Sequence, residues 1–179
     1  NVPHFPWDDF VWALRLGLNN RGLAGSHGMR TIQTNPRMQK NHPEYFAYHG
    51  GKRDTETRGS GHACFSSEGL FQETVGFARA VFDHYDKRAV SVFPQDGYRH
   101  CRCQRCADKT PSEAVWGFVN RVAKALYITH PDHLVLGGAY TSYQEPPDTI
   151  DKFSPNVVVR ISWTHPGLDS PESWNDYWA

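Results

Sequence analysis

Residues 89–139, AVSVFPQDGYRHCRCQRCADKTPSEAVWGFVNRVAKALYITHPDHLVLGGA, decide the fold. They begin with Ala89–Phe93, a strand-length run of β-branched and aromatic residues. Pro94-Gln-Asp-Gly97 interrupts the run, and a polar loop rich in cysteine follows. From Ser112, with Pro111 before it, apolar side chains recur at Val115, Phe118, Val119, Val122, Ala123 and Leu126. That spacing predicts a helix with one buried face. His133–Ala139 is again apolar and of strand length. Strand, helix and strand in this order imply two parallel strands, because a parallel neighbour needs a long crossover to bring the chain back to the same end of the sheet.

Working outward, the same rhythm continues. Upstream, Gly61–Phe65 predicts a short strand leading into Ser66-Ser67-Glu68, then a helix to about Tyr85 with Leu70, Phe71, Val75, Ala78 and Phe82 on one face. Downstream, a proline-containing loop leads to a strand over Asn156–Ile161. Nearer the start, Asp8–Leu18 has helical spacing, Gly22–Gly28 is glycine-rich, and His42–Tyr48 predicts a short helix ended by Gly50-Gly51. Ser173 is placed to cap a last helix within Pro171–Trp178.

The fold class expected is α/β, and two architectures compete for it. A doubly wound open sheet would be marked by a glycine-rich phosphate turn directly after a strand, but Gly22–Gly28 lacks the GxGxxG spacing and no P-loop lysine motif is present. A (β/α)8 barrel needs about 250 residues. The 179 residues therefore read as a fragment, 1–179, of a partial TIM-like barrel with about four or five of its eight strands, further domains belonging to the same longer chain.

Nineteen basic and nineteen acidic residues give no net field, so neither nucleic acid nor an anionic membrane surface is an expected partner. No apolar run reaches the length of a membrane span. The six Trp, eight Tyr and ten Phe mostly read as core. Tyr140 and Trp163, each just after a strand, are candidates for stacking on sugar faces.

Chemistry-bearing residues gather where strands end. Cys101, Cys103 and Cys106 share one loop, and Cys64 ends the preceding predicted strand. Four thiolates suit a closed tetrahedral zinc shell of structural type. Two disulfides, or three cysteines completed by His62 or His100, are the competing readings. Arg99, Arg102 and Arg105 interleave the thiols and favour their ionised forms. Asp96 follows one strand and Glu145 follows the next. Two carboxylates at neighbouring strand ends are the pair that glycosidic hydrolysis needs, one as acid and one as base or nucleophile. An Asp-Gly turn and a solvated loop residue are the plainer accounts of the two. His27, bracketed by Gly25 and Gly28, is a candidate sugar or carboxylate contact.

In chain order, Trp12-Ala-Leu-Arg15, Gly25-Ser-His27, His42-Pro-Glu-Tyr-Phe-Ala47, Gly51-Lys-Arg53, Ala63-Cys-Phe-Ser66, Val90-Ser-Val-Phe-Pro-Gln-Asp-Gly97, the cysteine loop and Pro155-Asn-Val-Val158 form a pattern. It resembles the bacterial family catalogued as domain of unknown function 4838, which is similar to α-glucuronidases and, more distantly, to β-hexosaminidases. The resemblance implies a (β/α)8 barrel in an exported, extracellular or periplasmic protein that degrades a polysaccharide or oligosaccharide, with uronic-acid-containing glycans among the substrates. Hexosaminidase-type barrels carry an Asp-Glu pair where this chain has Asp96-Gly97. The alternative expectation is a non-catalytic carbohydrate-binding or scaffold barrel held by a cysteine-bound metal.

Overall fold

The structure, a computed structural model, describes residues 27–85 and 87–161. The helices predicted over Asp8–Leu18 and after Ser173, together with Arg15 and Trp163, lie outside the described residues. Two short helices, α1 (Arg30–Gln33) and α2 (Pro36–Asn41), come first, followed by a one-turn 3-10 helix at Pro43–Tyr45. Asn35 caps α2 by accepting from the Arg37 amide at 3.0 Å, and Pro36 sits in the first turn, where its missing N–H is not needed.

Next is a hairpin of β1 (Tyr48–His49) and β2 (Lys52–Arg53), with Tyr48 opposite Arg53 and His49 opposite Lys52. Its two-residue turn is Gly50-Gly51, with φ of 52° and 86°. Both angles lie where side-chain-bearing residues rarely go, and a tight hairpin turn of this twist demands them. Gly50-Gly51 thus turns a hairpin instead of ending a helix over 42–48, and the strand expected at Gly61–Phe65 is only an isolated bridge between Ala63 and Phe46.

The rest forms a helix-on-sheet layer. Helix α3 (Glu68–His84) starts at Ser67, whose hydroxyl accepts from the Leu70 amide at 3.4 Å. Strand β3 (Ala89–Ser91) follows, then α4 (Pro111–Tyr127), β4 (Leu134–Ala139) and β5 (Val157–Ile161). Helix α4 begins one residue earlier than its periodicity implies. Thr110 and Glu113 form a reciprocal capping box that admits Pro111 at the first helical position. The three strands are parallel in the order β3-β4-β5, pairing Val90 with Val135 and Leu136 with Val158. An α/β class with a parallel sheet is what strand, helix and strand alternation predicts.

No α-helix lies between β4 and β5; a 3-10 turn at Thr141–Tyr143 and an irregular segment make the crossover. Buried polar groups tie that segment to α4. The Ser154 amide donates to Asn120 Oδ1 at 2.8 Å, and Asn156 Nδ2 donates to the Ala123 carbonyl at 3.1 Å. Trp116 is fully buried; its indole N–H donates to the Tyr143 carbonyl at 2.9 Å and its ring meets Phe153 edge-on. Glycine is required at 137 and 138, since a Cβ at either would overlap the Trp116 or the Phe93 ring. The main core runs from Met29 and Ile32 through the inner faces of α3 and α4 to Val90, Val92 and Val135. Among the described residues, no helix is long and apolar enough to cross a membrane.

Candidate metal centre

The loop between β3 and α4 brings three cysteines to one place, and the bridge at Ala63 brings the fourth. Cys64 is anchored by its amide, which donates to the Tyr45 carbonyl at 2.8 Å. Cys101, Cys103 and Cys106 come from a tight loop in which the Cys106 amide donates to the Cys103 carbonyl at 2.9 Å. All four sulphurs lie within 4.8 Å of one another, and among the described residues no histidine joins them. None is bonded to another. Cys64 Sγ stands 3.7 Å from Cys103 Sγ and 3.8 Å from Cys106 Sγ, far beyond the roughly 2.0 Å of a disulfide. A tetrahedron of sulphurs about 2.3 Å from a central ion has edges of about 3.8 Å, which the Cys64–Cys103 and Cys64–Cys106 separations match.

The surroundings suit thiolates. Backbone amides of Tyr48 and Cys103 donate to Cys101 Sγ at 3.2 and 3.5 Å. Hydrogen bonds from the Cys106 and Cys64 thiols, helped by those amides, push the Cys101 thiol strongly down. The reciprocal bonds to Cys101 and Cys106, with burial, push Cys64 strongly up, and the bond to Cys101 pushes Cys106 up to about 11. A divalent ion held by the four sulphurs would favour their ionised forms.

Arg53 adds positive charge. Burial disfavours its charged form, but the Cys64, Cys101 and Cys103 sulphurs outweigh burial and hold it protonated, while Nη1 donates to the Phe46 carbonyl at 2.8 Å. The sequence points to Arg99, Arg102 and Arg105 for this role; Arg53, reached across the glycine turn, takes part as well.

His100, a candidate fourth ligand, is committed elsewhere. Nε2 donates to the Cys106 carbonyl at 3.0 Å and Nδ1 lies 3.1 Å from the Tyr98 hydroxyl, which buttresses the loop from outside the shell. The His62 ring is buried, and its carbonyl accepts from the Ala47 amide at 2.7 Å.

Of the other predicted site residues that are described, Asp96 follows β3, Tyr140 and Glu145 follow β4, and His27 is bonded to the chain after β3. His27 Nδ1 donates to the Pro94 carbonyl at 2.6 Å, directing Nε2 toward Asp96 Oδ1 at 3.9 Å. Their side chains are 30% and 44% exposed, so this pair faces solvent. Gly97 has φ of 69°, so Asp96-Gly97 is also a turn. Tyr140 packs near Tyr143, ring centroids 6.3 Å apart. Burial first, then Tyr140 and Asp96, push the Tyr143 hydroxyl up, which links β4's end to β3's. Glu145 accepts from Gln144 Nε2 at 3.2 Å, and its backbone carbonyl accepts from the Ser112 hydroxyl at 2.8 Å. Asp96, His27, Tyr140 and Tyr143 thus belong to one neighbourhood, while Glu145's described bonds lie toward the start of α4.

One protein-family model, described as a domain of unknown function (DUF4838), matches residues 13–171, and the chain belongs to that family. No curated protein and no solved structure matches it.

Proposed function

With membership of that family as premise, we propose that this chain is a section of a (β/α)8 barrel from an exported glycan-degrading protein, and that it works by carboxylate acid/base chemistry. The observation that carries this reading is the His27–Asp96 pair, 3.9 Å apart and open to solvent at the carboxyl end of β3. Parallel α/β folds place their chemistry at that end.

In this account Asp96 is the general acid or substrate-orienting carboxylate and Glu145 its partner. His27, its Nδ1 spent on Pro94, offers Nε2 to Asp96 or to a sugar hydroxyl. Tyr140 and Trp163 supply apolar faces for the sugar rings. Cys64, Cys101, Cys103 and Cys106 hold structural zinc, for which the sulphur separations suit a roughly 2.3 Å bond. Four protein ligands close the shell, so the metal's part is to pin the loop that follows Asp96, leaving no position for substrate.

Replacing Asp96 with Asn in the full-length protein should reduce turnover of a glycan substrate by orders of magnitude with the melting profile intact. Unchanged turnover would overturn the assignment. Retained glycan binding with no turnover in either protein would leave a carbohydrate-binding barrel.

A further inference from the structure

The β1–β2 hairpin and the cysteine loop gather positive charge that the rest of the chain lacks. Residues 48–57 and 99–109 hold six basic and three acidic side chains, in a chain that is neutral as a whole. Backbone bonds join the two stretches. The Tyr48 amide donates to Cys101 Sγ at 3.2 Å, and the Arg102 amide donates to the Tyr48 carbonyl at 2.9 Å. Part of the charge answers the thiols: a divalent ion on four thiolates would leave a net negative centre, and Arg53 is held against those sulphurs. Lys52, Arg99 and Arg102 are a different case. All three are exposed, and none makes an ion pair with a described carboxylate.

Lys52 and Arg99 line a cleft of about 360 Å³, a size in the roughly 300–1,000 Å³ range of small-molecule sites. Several of its acceptors are withdrawn from solvent. Asp54 gives Oδ1 to the Thr57 amide at 3.1 Å, while Asp54 Oδ2 and His49 Nε2 are buried. Glu56 is the exposed carboxylate among the lining residues. The surface therefore offers mainly cationic donors, which take oxyanions. Beside them the Tyr48 side chain is 36% exposed, with Arg53 Cζ 5.5 Å from its ring centroid. An exposed aromatic ring packs on the apolar face of a sugar and tolerates polar neighbours at its edge.

We propose that this face docks a polysaccharide carrying anionic groups, with Lys52, Arg99 and Arg102 pairing those groups and Tyr48 packing on a sugar ring. The proposal rests on the glycan reading above and adds to it an anchoring surface and a sign of charge. A nucleic acid shares the oxyanions, but the neutral balance of the chain gives it no long-range field.

The test measures binding of metal-loaded full-length protein to polygalacturonate, dextran sulfate, unmodified dextran and single-stranded DNA, with metal content and melting profile followed in parallel. At least one of the two anionic polysaccharides should bind, more weakly as ionic strength rises, and dextran should not. The tighter of the two identifies the anionic group as carboxylate or sulfate. Affinity should fall about tenfold or more when Lys52→Gln and Arg99→Gln are combined. Tyr48→Ser should weaken binding at unchanged metal content. Arg102→Gln should weaken it too, and it spares the fold because the bond to Tyr48 is made by the backbone amide. Binding to neither anionic polysaccharide, equal binding to dextran, tighter binding to DNA, or undiminished affinity in the arginine and lysine variants overturns the proposal. Turnover lost in Asp96→Asn with no polyanion binding sinks this surface alone; a polyanion bound normally, with turnover indifferent to Asp96, sinks the hydrolase assignment alone.

Discussion

Around Trp116, two 17-residue helices and a parallel sheet close over Leu70, Val119, Leu126 and Val135, all essentially out of water. Around Cys64, the buried apolar company is Ala47, Cys101 and Cys106, with Cys103 partly buried. The hairpin alongside has strands of two residues each, with Tyr48, Gly50, Gly51 and Lys52 exposed. The first region is held by removal of hydrocarbon from water, at about 25 cal/mol per Å². The second has too little hydrocarbon for that, and a lone hairpin is marginal in water. Its cohesion has to come from the sulphurs and whatever binds them. One chain thus contains a part held by its own apolar patterning and a part centred on four thiols that could hold a metal ion.

The comparison is open to attack from both sides. The largest effect belongs to Trp116→Ala, which should cost about 3–5 kcal/mol by opening a cavity and stranding the Tyr143 carbonyl. Denaturant unfolding should show both regions lost together. Cys106→Ser should abolish stoichiometric metal and strip hydrogen-exchange protection from the amides of 48–53, leaving the α3 and α4 amides protected; equal loss in both regions would erase the distinction. Thr110→Ala, removing half of the capping box, should cost about 1 kcal/mol and leave metal content unchanged.

The smallest effect concerns pH. Burial tends to raise the Asp54 carboxyl, but the Thr57 hydroxyl and amide outweigh it, so the folded value lies below the unfolded one. Its contribution is complete above the unfolded value of about 3.9 and disappears as pH falls through the lower folded value. Asp54→Asn should flatten the acid limb of hairpin protection, read by exchange, without moving the neutral-pH plateau.

How much of this was legible follows the same division. The β3-α4-β4 unit was readable because burial imposes periodicity on sequence, and its boundaries shifted by only one or two residues. The cysteine quartet was readable because few roles place thiols so densely. The approach of Cys64 was anticipated through parallel strand pairing; the actual route is an antiparallel bridge at Ala63. The hairpin was not legible, since strands of two residues are too short for alternation to register, and Gly50-Gly51 suits a helix stop as well as a turn. Helix α2 left a signal in Asn35-Pro36 but no apolar stripe, as none of its residues is buried.

The spacing of the sulphurs along the chain has a consequence in time. Cys64 and Cys106 are separated by 42 residues, a span that contains all of α3 and β3. Closing so long a loop carries an entropic penalty that earlier collapse of the intervening helix and strand reduces. The cysteine loop can supply three ligands as soon as it is synthesised, but the fourth arrives only with tertiary structure. A metal ion held by the quartet would therefore gain its fourth sulphur late in folding, after the loop's three.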